Sequence, residues 1–210
     1  YLGFSYIVPG NSEATSQQRF FSTVFRNINI QGKSLYTLES RASLYFLNSN
    51  LKEWFDPEFT RSISSSVVDK SKKSRMDFVR YLSILSQYHK TKDENKVAYR
   101  YARRMEDYYE SYIYSVVNDD DSLLFGKFSD IYPDCNYKNR IDSLSSSIAE
   151  LGLSRSYISI IDMDIYFFGL VYVELFHTRS IDFNRKEDLK RELAEKISRR
   201  KRELKHTKTP

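Results

Sequence analysis

The sequence predicts a mainly α protein, an irregular multi-helix bundle with at most one short N-terminal strand. Three observations carry that prediction. The chain has only 6 Gly and 4 Pro in 210 residues, too few turn-makers for a many-stranded sheet. Apolar residues recur at helical spacing through most of its long segments. Apolar residues make up 40% of the chain and aromatics 15%, so the helices have a core to share. A chain of this length buries roughly 70% of the surface that its unfolded state exposes. The 17 Tyr outnumber the 14 Phe, which places many rings at the core boundary with hydroxyls that need partners.

The elements follow in order. Residues 4–8 (FSYIV) form a short apolar run closed by Pro9-Gly10, a strand and turn. A lone strand needs neighbours, so its partners are expected in sequence upstream of Tyr1. Residues 16–28 form a helix, with Phe21, Val24, Phe25 and Ile28 on one stripe. Asn29 and Gly32 stop it, and a second helix spans about 37–48 with Leu38, Ala42, Tyr45 and Phe46 available to the core. Asp56-Pro57-Glu58 starts a short helix with Asp56 as its cap, and the serine-rich stretch 62–66 breaks it. Ser74 caps a helix over about 74–88 with Phe78, Tyr81, Leu82 and Leu85 on its core face.

Residues 93–117 make the longest amphipathic stretch, with Val97, Tyr101, Met105, Tyr108, Tyr112 and Val116 on one face. A polar turn at 118–122 and a small helix before Pro133 lead to a helix over 138–151, which Gly152 caps. Residues 156–176 are apolar on nearly every side. Their β-branched content suits a strand, but their length favours a helix at the centre of the bundle. Asp182 starts a last, highly charged helix running to about 205.

The net charge of +5 is unevenly placed. Residues 185–208 hold 11 Lys/Arg and 5 Asp/Glu, a net of +6 that leaves −1 for everything else. The single Cys135 excludes an internal disulfide framework and a Cys-rich zinc site, and points to a reducing, cytoplasmic compartment. No run approaches the ~18 apolar residues needed to span a bilayer, so no membrane is expected as a partner. The opening Tyr1-Leu2-Gly3-Phe4 has neither an initiator Met nor a signal pattern, which again leads us to expect preceding residues.

One local pattern goes further. From Phe25 the chain reads FRNINIQGKSLYTLESRASLY, with Asn29, Gly32, Leu35, Glu39 and Arg41 at fixed offsets. Asn29 and Gly32 turn the chain, Leu35 anchors the turn, and Glu39 offsets the positive end of the next helix. Tyr36 stands where a capping box would have Ser or Thr, so that helix starts at Thr37 instead. The pattern resembles the F-x-x-x-N-x-x-G-x-x-L-x-x-x-E-x-R segment that follows the ParB-like fold in the GmrSD-type family. Specific matching covers about residues 20–45, and Arg75-Met76 with Val79-Arg80-Tyr81-Leu82 resemble the next family helix.

The resemblance implies the following organisation. Residues 1–10 are the remnant of an upstream ParB-like domain, 11–182 the helical bundle, and 183–210 a charged C-terminal helix and tail. It implies a bacterial protein acting in NTP-dependent restriction of foreign or modified DNA during phage defence. NTP and Mg would belong to the full-length parent, an NTPase or endonuclease component. A nuclease domain or subunit would be a further partner. This chain carries neither the family's Asp-Gly-Gln-Gln-Arg type loop nor its metal-binding nuclease His. Gln17-Gln18-Arg19 lacks the preceding Asp-Gly. The expectation is therefore no catalytic site, no metal and no cofactor in this chain. The alternative is a non-enzymatic helical scaffold for protein contact.

Other candidate chemistry has plain readings beside it. His89, His177 and His206 lack metal-ligand spacing and read as structural or surface residues. Asp162 and Asp164, two apart on a helix, diverge and need separate partners. Asp119, Asp120 and Asp121 lack calcium-loop spacing and read as a solvated turn. Cys135 sits in a loop without a His partner, so no catalytic thiol is expected. Arg41 reads as a packed or surface residue, with an interface to an upstream nucleotide-binding domain as the functional alternative. Arg199, Arg200, Lys201 and Arg202 suit phosphate contact with DNA, although interleaved acids suit a solvated helix. The Tyr-rich stretch 99–114 reads as packing rather than base stacking.

Overall fold

Aromatic side chains from five segments meet at Trp54, and the rest of the fold is arranged around them. The computed structural model describes residues 41–66, 73–93, 96–99, 101, 104–177 and 181–206, with isolated positions 8, 10, 13, 16, 17, 20, 21, 23 and 24. The predicted strand 4–8, except Val8, and the motif residues Phe25, Asn29, Gly32, Leu35 and Glu39 lie outside the described residues. Ser16, Gln17, Phe20, Phe21, Thr23 and Val24 are helical.

The described residues form a mainly α fold. Its helices are α1 (Lys52–Phe55), α2 (Phe78–Thr91), α3 (Met105–Val117), α4 (Phe128–Ile131), α5 (Tyr137–Glu150), α6 (Ile160–Val171) and α7 (Lys186–His206). Trp54 is fully buried on α1. Its indole packs edge-on against Phe128 of α4, Tyr132 and Tyr137 of α5, and its Nε1–H donates to Tyr112 of α3 (3.1 Å). One ring thus joins four helices, and its one polar atom is satisfied.

The expectation of at most one N-terminal strand needs correction. Three short strands, β1 (Ser64–Ser66), β2 (Lys73–Arg75) and β3 (Ser156–Tyr157), form a sheet in the order β2-β1-β3. β1 pairs antiparallel with β2 (Ser64 opposite Arg75) and parallel with β3 (Ser64 opposite Ser156). Serine strands this short carry no hydrophobic alternation, so the serine-rich stretch looked like a break. Asp56 does not cap a helix. It pairs with Arg75 of β2 and with Arg61 (3.7 Å), and the segment after Pro57 is a 3₁₀ turn, Glu58–Ser62. Ser74 sits in β2, and Asp77 caps α2 by accepting from the Arg80 amide (3.4 Å).

The predicted helix 93–117 keeps only its second half, α3. Gln87 accounts for the break. Its buried Oε1 accepts from the Ala98 amide (2.9 Å) and from the Tyr108 hydroxyl (2.7 Å), which holds Ala98 in a left-handed turn (φ 53°). Residues 156–176 likewise divide. Tyr157 pairs in the sheet, Ser159 caps α6 by accepting from the Asp162 amide (3.1 Å), and a π-helical turn, Tyr172–Phe176, follows. The buried Glu174 of that turn accepts from Ser143 (2.9 Å) and Ser147 (2.5 Å) on α5, where a regular helix would space the residues differently. α6 is also less central than expected, because Ile158 is 82% exposed and Ile160 and Ile161 face solvent. Gly152 caps α5 with φ 61°, as predicted.

Candidate functional site

Arg41 is the one residue of the predicted motif within the described residues, and it is only 1% exposed. Its guanidinium donates to Asp77 at the start of α2 (2.5 Å), to Glu106 in the first turn of α3 (2.8 Å) and to the Tyr45 hydroxyl (3.3 Å), and it lies over the Tyr109 ring (4.8 Å). Burial works against its charge, but Asp77, Tyr45 and Glu106 outweigh burial and raise its pKa. Burial also pushes the Tyr45 hydroxyl up to about 12 against the pull of Arg41, and raises Glu106 against the same pull. All five donors of a guanidinium lie in one plane, so a single Arg can tie two helix N-termini together. Asp77 does double duty, capping α2 and binding Arg41.

A second arginine anchors α6. Arg80 of α2 donates through both terminal nitrogens to Asp164 (2.6 and 2.5 Å), and the Tyr81 hydroxyl donates to the same carboxylate (2.7 Å). The Arg80 guanidinium lies against the Tyr81 and Phe168 rings at 5.5 and 5.4 Å. Asp162, two residues earlier, points elsewhere and pairs with Lys201 of α7. Each carboxylate thus has its own cation, as their angular separation on a helix requires.

That pair is where the basic run meets the body. Lys201 also lies over the Tyr166 ring (5.8 Å), and its hydrogen bond to Asp162 raises its pKa. Lys201, toward the end of α7, meets the first turn of α6, so the two helices run antiparallel. Ile197, four residues before Lys201, is buried, and Leu189 and Leu193 continue the stripe at four-residue intervals. Lys186 fastens the start of α7 to Glu150 of α5 (3.1 Å). Arg199 and Arg200 are exposed and share Glu203 (3.2 and 3.1 Å), and Arg202 is exposed. Of the four predicted phosphate contacts, three face solvent and Lys201 is turned inward.

α6 and α7 do not close completely. Between them lies a groove of about 470 Å³ whose walls are mainly Leu153, Ile165, Tyr166, Leu170, Leu189 and Leu193. Gly169 forms part of the floor, and a Cβ built there meets nothing within 4 Å. The rim carries Asp182, Asp188 and Glu192 against one cation, Arg185. A volume of that size, apolar inside and polar at the edge, matches ordinary ligand grooves. The sequence reading missed this site because α7 looked charged throughout. The spacing of Leu189, Leu193 and Ile197 was the available signal.

Other candidates do not assemble. Among the described residues, no three of His, Cys, Asp and Glu come together as a metal ion would need. Cys135 is exposed in a left-handed turn (φ 51°). Asp119 accepts from the Ser129 amide (2.7 Å) and Asp121 pairs with Lys90 (2.6 Å), so the acidic turn serves local structure. Tyr108, Tyr109 and Tyr112 are buried, which matches packing rather than base stacking. No described helix is long and apolar enough to cross a membrane. No protein-family model, curated protein or solved structure matches the chain.

Proposed function

We propose that this chain is a non-enzymatic helical docking module whose α6–α7 groove receives an amphipathic helix with basic flanks. The groove itself is the observation that carries this reading. Its apolar walls would take the side chains at i, i+3/i+4 and i+7 of a guest helix, and its lining has three carboxylates to one guanidinium, with Asp188 also paired to Arg191 (2.6 Å), which leaves a net negative edge. Charge complementarity therefore favours Lys and Arg on the guest.

Gly169 makes the test clean. A Cβ built at this position meets nothing within 4 Å, so a Phe there would start from open space in the groove lining. A labelled Leu/Lys amphipathic peptide is expected to bind the chain by fluorescence anisotropy, and its Leu/Glu counterpart is not. G169F should weaken the Leu/Lys peptide at least tenfold while the chain stays folded by circular dichroism. Equal binding of both peptides, or binding indifferent to G169F, would sink the proposal. Tight binding of a small apolar molecule in place of either peptide would also count against it.

A second reading has its own support. The Phe25-to-Arg41 pattern, with Arg199, Arg200 and Arg202 exposed together on α7, supports a helical portion of a GmrSD-like, ParB-related restriction protein that contacts DNA. In that reading, an upstream ParB-like domain supplies the NTP and Mg site and a nuclease domain or subunit cuts. Three phosphate contacts predict roughly a 40-fold loss of duplex affinity between about 50 and about 200 mM salt. Changing Arg199, Arg200 and Arg202 to Gln should flatten that dependence in a filter-binding assay. An unchanged slope would remove the tail from consideration.

A further inference from the structure

Where α2 ends against the π-helical turn, basic side chains gather away from the groove. Lys92 ends α2 in the left-handed region (φ 55°), which turns the chain so that its ammonium lies 3.3 Å from His89 Nδ1 and 3.3 Å from the Tyr172 hydroxyl. The His177 ring stands edge-on to Tyr172, with centroids 4.8 Å apart. On the far side, the His89 ring rests against Phe176 (5.6 Å). Arg140 of α5 reaches the same corner, donating to the Leu175 and His177 carbonyls (2.8 and 3.4 Å). Among the described residues, two carboxylates are nearby, and both are engaged. Asp93 pairs with Lys96 (3.0 Å), and Glu174 accepts from two serines on α5.

An ammonium beside two imidazoles is an unfavourable grouping unless something negative joins it. Lys92 has three N–H donors, and a neutral His89 Nδ1 and the Tyr172 oxygen accept at most two of them. The third remains for a guest, with the His177 ring on the same Tyr172 side chain. From this convergence we infer that His89, Lys92, His177 and the Tyr172 hydroxyl form a binding site for a dianionic oxyanion such as a phosphate monoester. The inference does not rest on the groove. Protonating the imidazoles adds positive charge that favours an anion, so the site strengthens as the pH falls.

The structure supplies the opposing force that gives this site its pH dependence. Without an anion, burial lowers the His89 pKa below its ordinary 6.5, with Lys92 and His177 adding to the effect. The unfolded chain then binds more protons than the folded one, and stability falls as pH drops through and below 6.5. A bound dianion offsets the repulsion that Lys92 and His177 exert on a charged His89. Anion binding and His89 protonation are thus linked, each promoting the other.

Sulfate is the right first probe, because it stays dianionic across the range in which histidine titrates. NMR of the imidazole C–H signals is expected to show His89 and His177 shifting with sulfate at pH 6. The affinity should be about tenfold or more tighter than at pH 8 if one proton is taken up. K92Q, at an exposed position, should abolish the shift, and H89N combined with H177N should abolish the pH dependence of the affinity. Inorganic phosphate and a soluble phosphate monoester should compete with sulfate, whereas a phosphodiester should compete poorly. The inference is overturned if neither histidine moves with sulfate at pH 6. It is also overturned if binding survives K92Q unchanged at both pH values, or if zinc moves both histidines where sulfate does not.

Discussion

Replacing Arg41 by Met is expected to lower stability by about 3–5 kcal/mol, the usual effect of removing one partner from a buried ion pair. For a chain of this length that is a fall of roughly 6–20 °C in melting temperature. The loss comes from what is left behind. Asp77 and Glu106 would face each other at two helix N-termini with no cation between them, and Tyr45 and Tyr109 would lose the group that fills the space between their rings. Arg41→Lys should recover only part, because one ammonium cannot reach both carboxylates in the plane that a guanidinium spans. The pH dependence follows from the same account. In the Met variant Glu106, which burial already raises, loses the opposing pull of Arg41, so the folded state binds protons more readily than the unfolded one. The deficit should therefore be greatest near pH 7 and shrink as pH falls toward 5. Urea unfolding at the two pH values measures it, and a deficit independent of pH would mean that packing, not charge, explains Arg41.

Arg41 also shows how far the sequence could be read. Its spacing from Gly32 singled it out, and a packed role was one of its two readings. Its partners were invisible, because Asp77 and Glu106 lie 36 and 65 positions away and neither stands out as a motif. The helical class was legible because apolar periodicity is local, and α2, α5 and α7 follow their stripes to within a few residues. The departures have nonlocal causes. Gln87 reaches forward to bend the chain at Ala98, the Glu174 carboxylate is caught by two serines on α5, and Ser64–Ser66 becomes a strand only because Arg155 and Met76 come alongside. The groove was hidden for a similar reason. Half of it is an apolar stripe four residues apart within a helix whose composition is dominated by charge.

Asp164→Leu is the other substitution expected to act strongly, at about 3 kcal/mol. This is the lower end for a broken pair, because the Arg80 side chain keeps 25% of its exposure and part of its hydration. The change would leave the Arg80 guanidinium beside the Tyr81 and Phe168 rings without its acid, and the Tyr81 hydroxyl without its acceptor. Burial and Asp164 together hold the Tyr81 pKa above its ordinary value, so in the variant the hydroxyl stays protonated and simply goes unpaired. Asp164→Asn preserves the shape and one acceptor and should cost about half as much. The consequence for function is specific. Asp164 sits on the same helix as Ile165, Tyr166 and Gly169, so the anchor that fixes α6 against α2 also fixes one wall of the groove. D164L should therefore lose stability and peptide affinity together, whereas G169F loses affinity in a chain that stays folded. If D164L binds the Leu/Lys peptide as well as the parent does, α6 is not the positioning element and the groove does not need its wall held in place.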